Sequence, residues 1–72
     1  MQKEELNREV GLKIRGLRES KNLSIQKLSD KIDIEYSNMI RIEKGRTNPT
    51  IWTLYKICQG LEINLVELVG VE

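Results

Sequence analysis

Histidine is absent from the chain, cysteine, tryptophan and proline occur once each, and no apolar run approaches the length that spans a bilayer. Each shortage removes a class of function. Without histidine there is no imidazole for acid–base work or metal ligation, and the lone thiol of Cys58 has no second cysteine for an internal disulfide or a zinc site. Cys58 therefore reads as a small core residue. No glycine-rich phosphate loop occurs, nor any carboxylate pair in a cleft-forming context, so no catalytic residue, metal or cofactor is expected. The opening MQKEELNREV is charged and lacks the apolar segment of a signal peptide, which points to a cytoplasmic protein with no membrane association. Strict strand-like alternation, internal repeats and low-complexity linkers are also missing.

What remains is a 72-residue chain, 39% apolar and 32% charged. That size supports one small domain over residues 1–72, with no room for a second core or a separate ligand-binding domain. Any signal it answers would most simply be its own concentration. Net charge is only +1, but the distribution is uneven: residues 13–48 hold nine Lys or Arg against five acids, while residues 49–72 hold one against three. Positive charge therefore gathers in the middle of the chain.

Val10, Ile14 and Leu17 recur at i, i+4 and i+7, which predicts an amphipathic helix from about Lys3 to Lys21, with Arg18 at the edge of the core. Gly11 and Gly16 weaken it by about 1 kcal/mol each unless close packing compensates. Asn22 suits a left-handed stop, and Ser24 can cap a second helix in which Leu28 and Ile32 face inward and Ser29 lets another helix approach. Asp33 tolerates positive φ in a tight turn. A third helix then places Met39 and Ile42 inward, with Tyr36, Ser37, Asn38 and Arg41 on the opposite surface, and Gly45 ends it. After the loop RTNP, Thr50 caps a fourth helix with the stripe Leu54, Ile57, Cys58 and Leu61, and Asn64 with Glu67 forms a capping-box variant for a short fifth.

The segment LSIQKLSDKIDIEYSNMIRIEKGRTNPT, followed by LYKICQGLEINLVEL, resembles the phage-repressor-like helix-turn-helix family, also called the Xre or Cro/C1 family, over Val10 to Leu68. The resemblance implies an all-α, five-helix, lambda-repressor-like domain, with a positioning helix at about residues 24–31 and a recognition helix at about 35–44. It also implies a sequence-specific regulator of transcription that binds double-stranded DNA, acting as a repressor and as a homodimer on a near-palindromic operator. Tyr36, Ser37, Asn38 and Arg41 carry the donors, acceptors and edges that base readout in the major groove needs. Phosphate contacts fall on Ser24, Gln26 and Lys27, and on Lys44, Arg46, Thr47 and Asn48, the last two doubling as turn residues before Pro49. Arg18 and Glu43 correspond to a family pair that forms a largely buried ion pair.

Four positions depart from the family pattern. Ile25 replaces a DNA-touching glutamine, Glu35 replaces a Ser or Thr cap and brings negative charge near the phosphates, and Asp33 and Glu62 replace glycines. Trp52, read beside an inward Ile51, joins Val66, Val69 and Val71 as expected dimer-interface residues, because a small monomer seldom exposes so much apolar surface. The alternative from another class is a protein-binding helical module, such as an antitoxin whose partner is a toxin protein. Restriction–modification controllers, antitoxins and phage-type repressors all fit the size.

Overall fold

The first helix, α1 (Lys3–Ser20), turns Val10, Gly11, Ile14 and Arg18 inward. It is the longest element of the computed structural model, which describes residues 1–69. Its start is held by the Gln2 N–H donating to Glu5 Oε1 at 3.3 Å, and Glu4 and Glu5 suit the positive end of the helix dipole. Asn22 ends the segment at φ 58°, where a short polar side chain is tolerated, and the Leu23 N–H returns to the Arg18 carbonyl at 3.1 Å.

The second helix, α2 (Ile25–Ile32), begins after Ser24, whose Oγ accepts the Lys27 N–H at 3.1 Å. Asp33 closes it in the left-handed region, and the third helix, α3 (Tyr36–Glu43), follows after a turn of three residues, 33–35. The fourth helix, α4 (Ile51–Leu61), and the fifth, α5 (Leu65–Val69), complete the order. Each helix sends at least one fully buried side chain to a shared core: Ile14, Leu28, Met39, Ile57, Leu61 and Leu68 are all 0% exposed. Burial pushes the Cys58 thiol up, so it stays protonated within that core. Among the described residues no helix is long and apolar enough to cross a membrane.

Two glycines set how closely the helices pack. A Cβ on Gly11 would lie 2.5 Å from the Glu43 carbonyl oxygen and 2.6 Å from that of Ile42, so only glycine lets α1 cross the last turn of α3. Gly60, which periodicity did not single out, brings α4 down onto Leu28 and Ile32 of α2. Gly16 has open space around it, so nothing offsets its helix penalty.

Two expectations need correction. Ile51 is 68% exposed rather than inward, because the buried stripe of α4 begins one turn later at Leu54 and the first turn overhangs the core. Asn64 starts α5 through its backbone carbonyl, which accepts from the Glu67 N–H at 3.0 Å; no side-chain capping box appears among the described hydrogen bonds. Glu62 sits at φ 59°, which costs a residue with a Cβ about 1 kcal/mol.

Thr50 is the N-cap of α4, its Oγ1 accepting from the Thr53 N–H at 3.1 Å. Thr50→Ala is expected to cost about 1 kcal/mol, lowering the melting temperature by roughly 4–8 °C in a domain of this size. Thermal melts followed by circular dichroism check this, and an unchanged midpoint would contradict it.

Candidate nucleic-acid interface

Helix α3 is anchored by Met39, Ile42 and Glu43, and what it presents outward follows from where those three point. Ser37, Arg41 and Lys44, spaced i, i+4 and i+7, are all exposed and form its outermost ridge. Tyr36 flanks that ridge on one side, 47% exposed. Asn38 lies on the other flank and is half-buried, nearer the body of the domain than Tyr36, Ser37 or Arg41. Ile40, one turn after Tyr36, is half-buried beside the ridge and supplies an apolar edge. Sequence reasoning passed over Ile40, although its spacing from Tyr36, off the Met39–Ile42 stripe, carries the signal.

The ridge is held in place from behind by Arg18 of α1. Its Nε donates to Glu43 Oε2 at 2.6 Å and its Nη2 to Oε1 at 3.0 Å, a two-point contact between side chains that are each less than a tenth exposed. Its Nη1 donates to the Leu23 carbonyl at 2.7 Å, so one guanidinium joins α1, the segment entering α2 and the end of α3. The hydrogen bond to Glu43 raises the Arg18 pKa against the opposing effect of burial, which keeps the cation charged. No buried side-chain polar atom among the described residues lacks a partner.

After α3 the chain reverses at Gly45, φ 70°, with the Gly45 N–H on the Ile42 carbonyl at 3.0 Å and the Arg46 N–H on the Arg41 carbonyl at 2.9 Å. This closure leaves Lys44, Arg46 and Asn48 exposed and Thr47 half-buried. Neither Thr47 nor Asn48 enters a hydrogen bond among the described residues, so the turn is held by backbone rather than by these side chains. At the start of α2, Ser24, Gln26 and Lys27 are exposed, but the Gln26 amide already donates to Asp30 Oδ1 at 2.9 Å. Ile25, where glutamine was expected, is packed against the core. Glu35 precedes α3 and makes no side-chain capping bond. Two other lysines of the basic middle and its neighbour are turned to structural use: Lys31 Nζ donates to the Gly60 carbonyl at 2.8 Å and Lys56 Nζ to the Asp33 carbonyl at 3.3 Å.

A second surface lies on α4 and α5. Trp52 is 66% exposed and stacks on Tyr55 with ring centroids 5.7 Å apart, and Ile51 extends the same apolar patch. Tyr55 was not anticipated, though it stands one turn from Trp52. Val66 and Val69 are exposed on α5, and Val71 lies outside the described residues.

Five helices about one core, with α2 and α3 joined by a three-residue turn and a polar, cationic ridge on α3, define a helix-turn-helix domain. The chain belongs to the helix-turn-helix domain family, whose pattern matches residues 11–71. An uncharacterised HTH-type transcriptional regulator, y4dJ, of Sinorhizobium fredii is 35% identical over 60 residues, covering 83% of this chain and 78% of that protein. The immunity repressor of Bacillus phage phi105 is 32% identical over 63 residues, covering 88% of this chain but only 44% of the repressor. Among solved structures, the restriction-modification controller C.AhdI of Aeromonas hydrophila superposes with a TM-score of 0.84 at 28% identity, covering 89% of this chain and 96% of that one.

Proposed function

We propose that this protein is a cytoplasmic, sequence-specific DNA-binding regulator of transcription that acts as a repressor, binding a near-palindromic operator as a homodimer. The observation that carries this is the ridge of α3: Ser37, Arg41 and Lys44 are exposed, aligned and rigidly backed by the Arg18–Glu43 pair. A helix so placed enters the major groove, where Arg41 has the fork geometry for guanine and Tyr36, Ser37 and Asn38 supply further polar contacts. Lys27 with the start of α2, and Lys44, Arg46, Thr47 and Asn48 after α3, then hold the phosphates on either side. Relatives named as a phage immunity repressor and a restriction-modification controller support the regulatory role.

Titrating labelled random-sequence duplex DNA is the first test. Binding is expected at low salt and should weaken steeply as salt rises, as phosphate neutralisation requires. No binding at low salt would contradict the DNA reading.

Dimerisation rests on the exposed apolar side chains Ile51, Trp52 and Tyr55 of α4 and Val66 and Val69 of α5, the kind of surface that a partner covers. Analytical ultracentrifugation is expected to show a concentration-dependent dimer, and Trp52→Glu to shift it to monomer by at least tenfold in dissociation constant. A single monomeric species at high concentration would defeat the dimer. The same patch favours a second reading, in which a protein partner such as a toxin occupies it, and DNA and protein binding can coexist on these separate surfaces.

A further inference from the structure

Where α1 passes the reversal after α3, Arg8, Leu12, Glu43, Lys44 and Arg46 line a small open pocket. The approach is close and fixed: a Cβ on Gly45 would lie 2.7 Å from Arg8 Cα and 2.8 Å from Arg8 N, so the backbones of α1 and the loop are in direct contact. Three cationic side chains from two elements, Arg8, Lys44 and Arg46, are exposed around this pocket, and none is in an ion pair among the described residues. Glu43, the one acid that lines it, has both oxygens engaged by Arg18. Glu4 and Glu5 stand one turn before Arg8 on α1, but no ion pair joins them to it. Positive charge is thus gathered around a concave site, with Glu4, Glu5 and Glu9 nearby on α1 but none of them in an ion pair with its three cations.

We propose that Arg8 is a further phosphate-binding residue, extending with Lys44 and Arg46 a cationic socket along adjacent phosphodiesters of duplex DNA, one cation to each. The proposal rests on the DNA-binding reading above. A guanidinium offers paired donors to phosphate oxygens, and the Gly45 contact holds Arg8 beside the same stretch of strand that the loop grips. Arg8 lies on α1, before the residues 11–71 that match the family pattern.

Salt titrations of a random-sequence duplex pool test it, comparing wild type with Arg8→Ala, Arg46→Ala and a control, Arg15→Ala, whose side chain is paired with Glu19. Each lost phosphate contact lowers the slope of log K against log salt by about 0.9. Arg8→Ala should show that loss, and so should Arg46→Ala. The affinity gap to wild type should then narrow about three- to fourfold between 50 and 200 mM salt, at an unchanged melting temperature. Arg15→Ala should keep the wild-type slope. A wild-type slope for Arg8→Ala, or an equal loss for Arg15→Ala, overturns the socket while leaving the DNA reading intact. Wild type that binds no duplex overturns both.

Discussion

Glu43→Ala is expected to remove about 3–5 kcal/mol of folding stability. The Ala side chain would leave the guanidinium of Arg18, a residue only 8% exposed, without its carboxylate in a site that water hardly reaches. A domain of this size has a total stability of roughly 4–11 kcal/mol, at about 0.05–0.15 kcal/mol per residue. The loss is therefore a large fraction of the whole. Urea denaturation at 25 °C measures it directly. Glu43→Gln, which keeps one acceptor for Arg18 but presents an amide donor where the second oxygen stood, should fall between alanine and wild type. The paired substitution Arg18→Met with Glu43→Leu should recover much of the loss, since no charge is then stranded, though the Leu23 carbonyl forfeits its 2.7 Å donor. An unchanged midpoint for Glu43→Ala would mean that the pair contributes nothing to the fold.

Arg41→Ala is expected to act on recognition with no effect on folding, because the side chain is exposed and enters no described hydrogen bond or ion pair. A bidentate contact to guanine discriminates by about 1–3 kcal/mol, so the preference for a selected site over random duplex should drop roughly five- to 150-fold. Affinity for random duplex should change far less. Lys44→Ala, on the same ridge one turn further, is the contrasting case: as a phosphate contact it should weaken all duplexes alike and reduce the salt slope. Competition titrations on a selected site and on random duplex separate the two. Uniform weakening by Arg41→Ala across all sequences would demote Arg41 to a phosphate contact.

Much of the helical plan was legible because local chemistry and core packing agree. Ser24 and Thr50 do cap α2 and α4, Asn22 and Asp33 do take the left-handed conformation, and the inward set of Ile14, Leu28, Met39 and Ile57 follows the helical period. Periodicity fails where a helix outruns what it packs on. Ile51 has inward spacing relative to Leu54 and Cys58 but no neighbour to bury it, and only the tertiary arrangement reveals this. Gly60 was silent for the same reason: a missing side chain announces close approach only once Leu28 and Ile32 are seen opposite it.

The candidate interface was readable in its residue types and less so in its geometry. Helical spacing places Ser37 and Arg41 outward. The same spacing carries Lys44 onto their ridge, but it does not say that Asn38 is drawn half under the domain. Arg8 could not be found from sequence at all, since nothing in MQKEELNREV shows that Gly45 lies against it.

Selection from a random duplex library at moderate salt, with sequencing of what the protein retains, tests the central claim most directly. The expected result is a pseudo-palindrome whose half-sites lie about one helical turn, or a multiple of it, apart, with guanine at the position that Arg41→Ala then relaxes. Recovery of no motif from protein that is folded and binds DNA at low salt would contradict sequence-specific readout by α3.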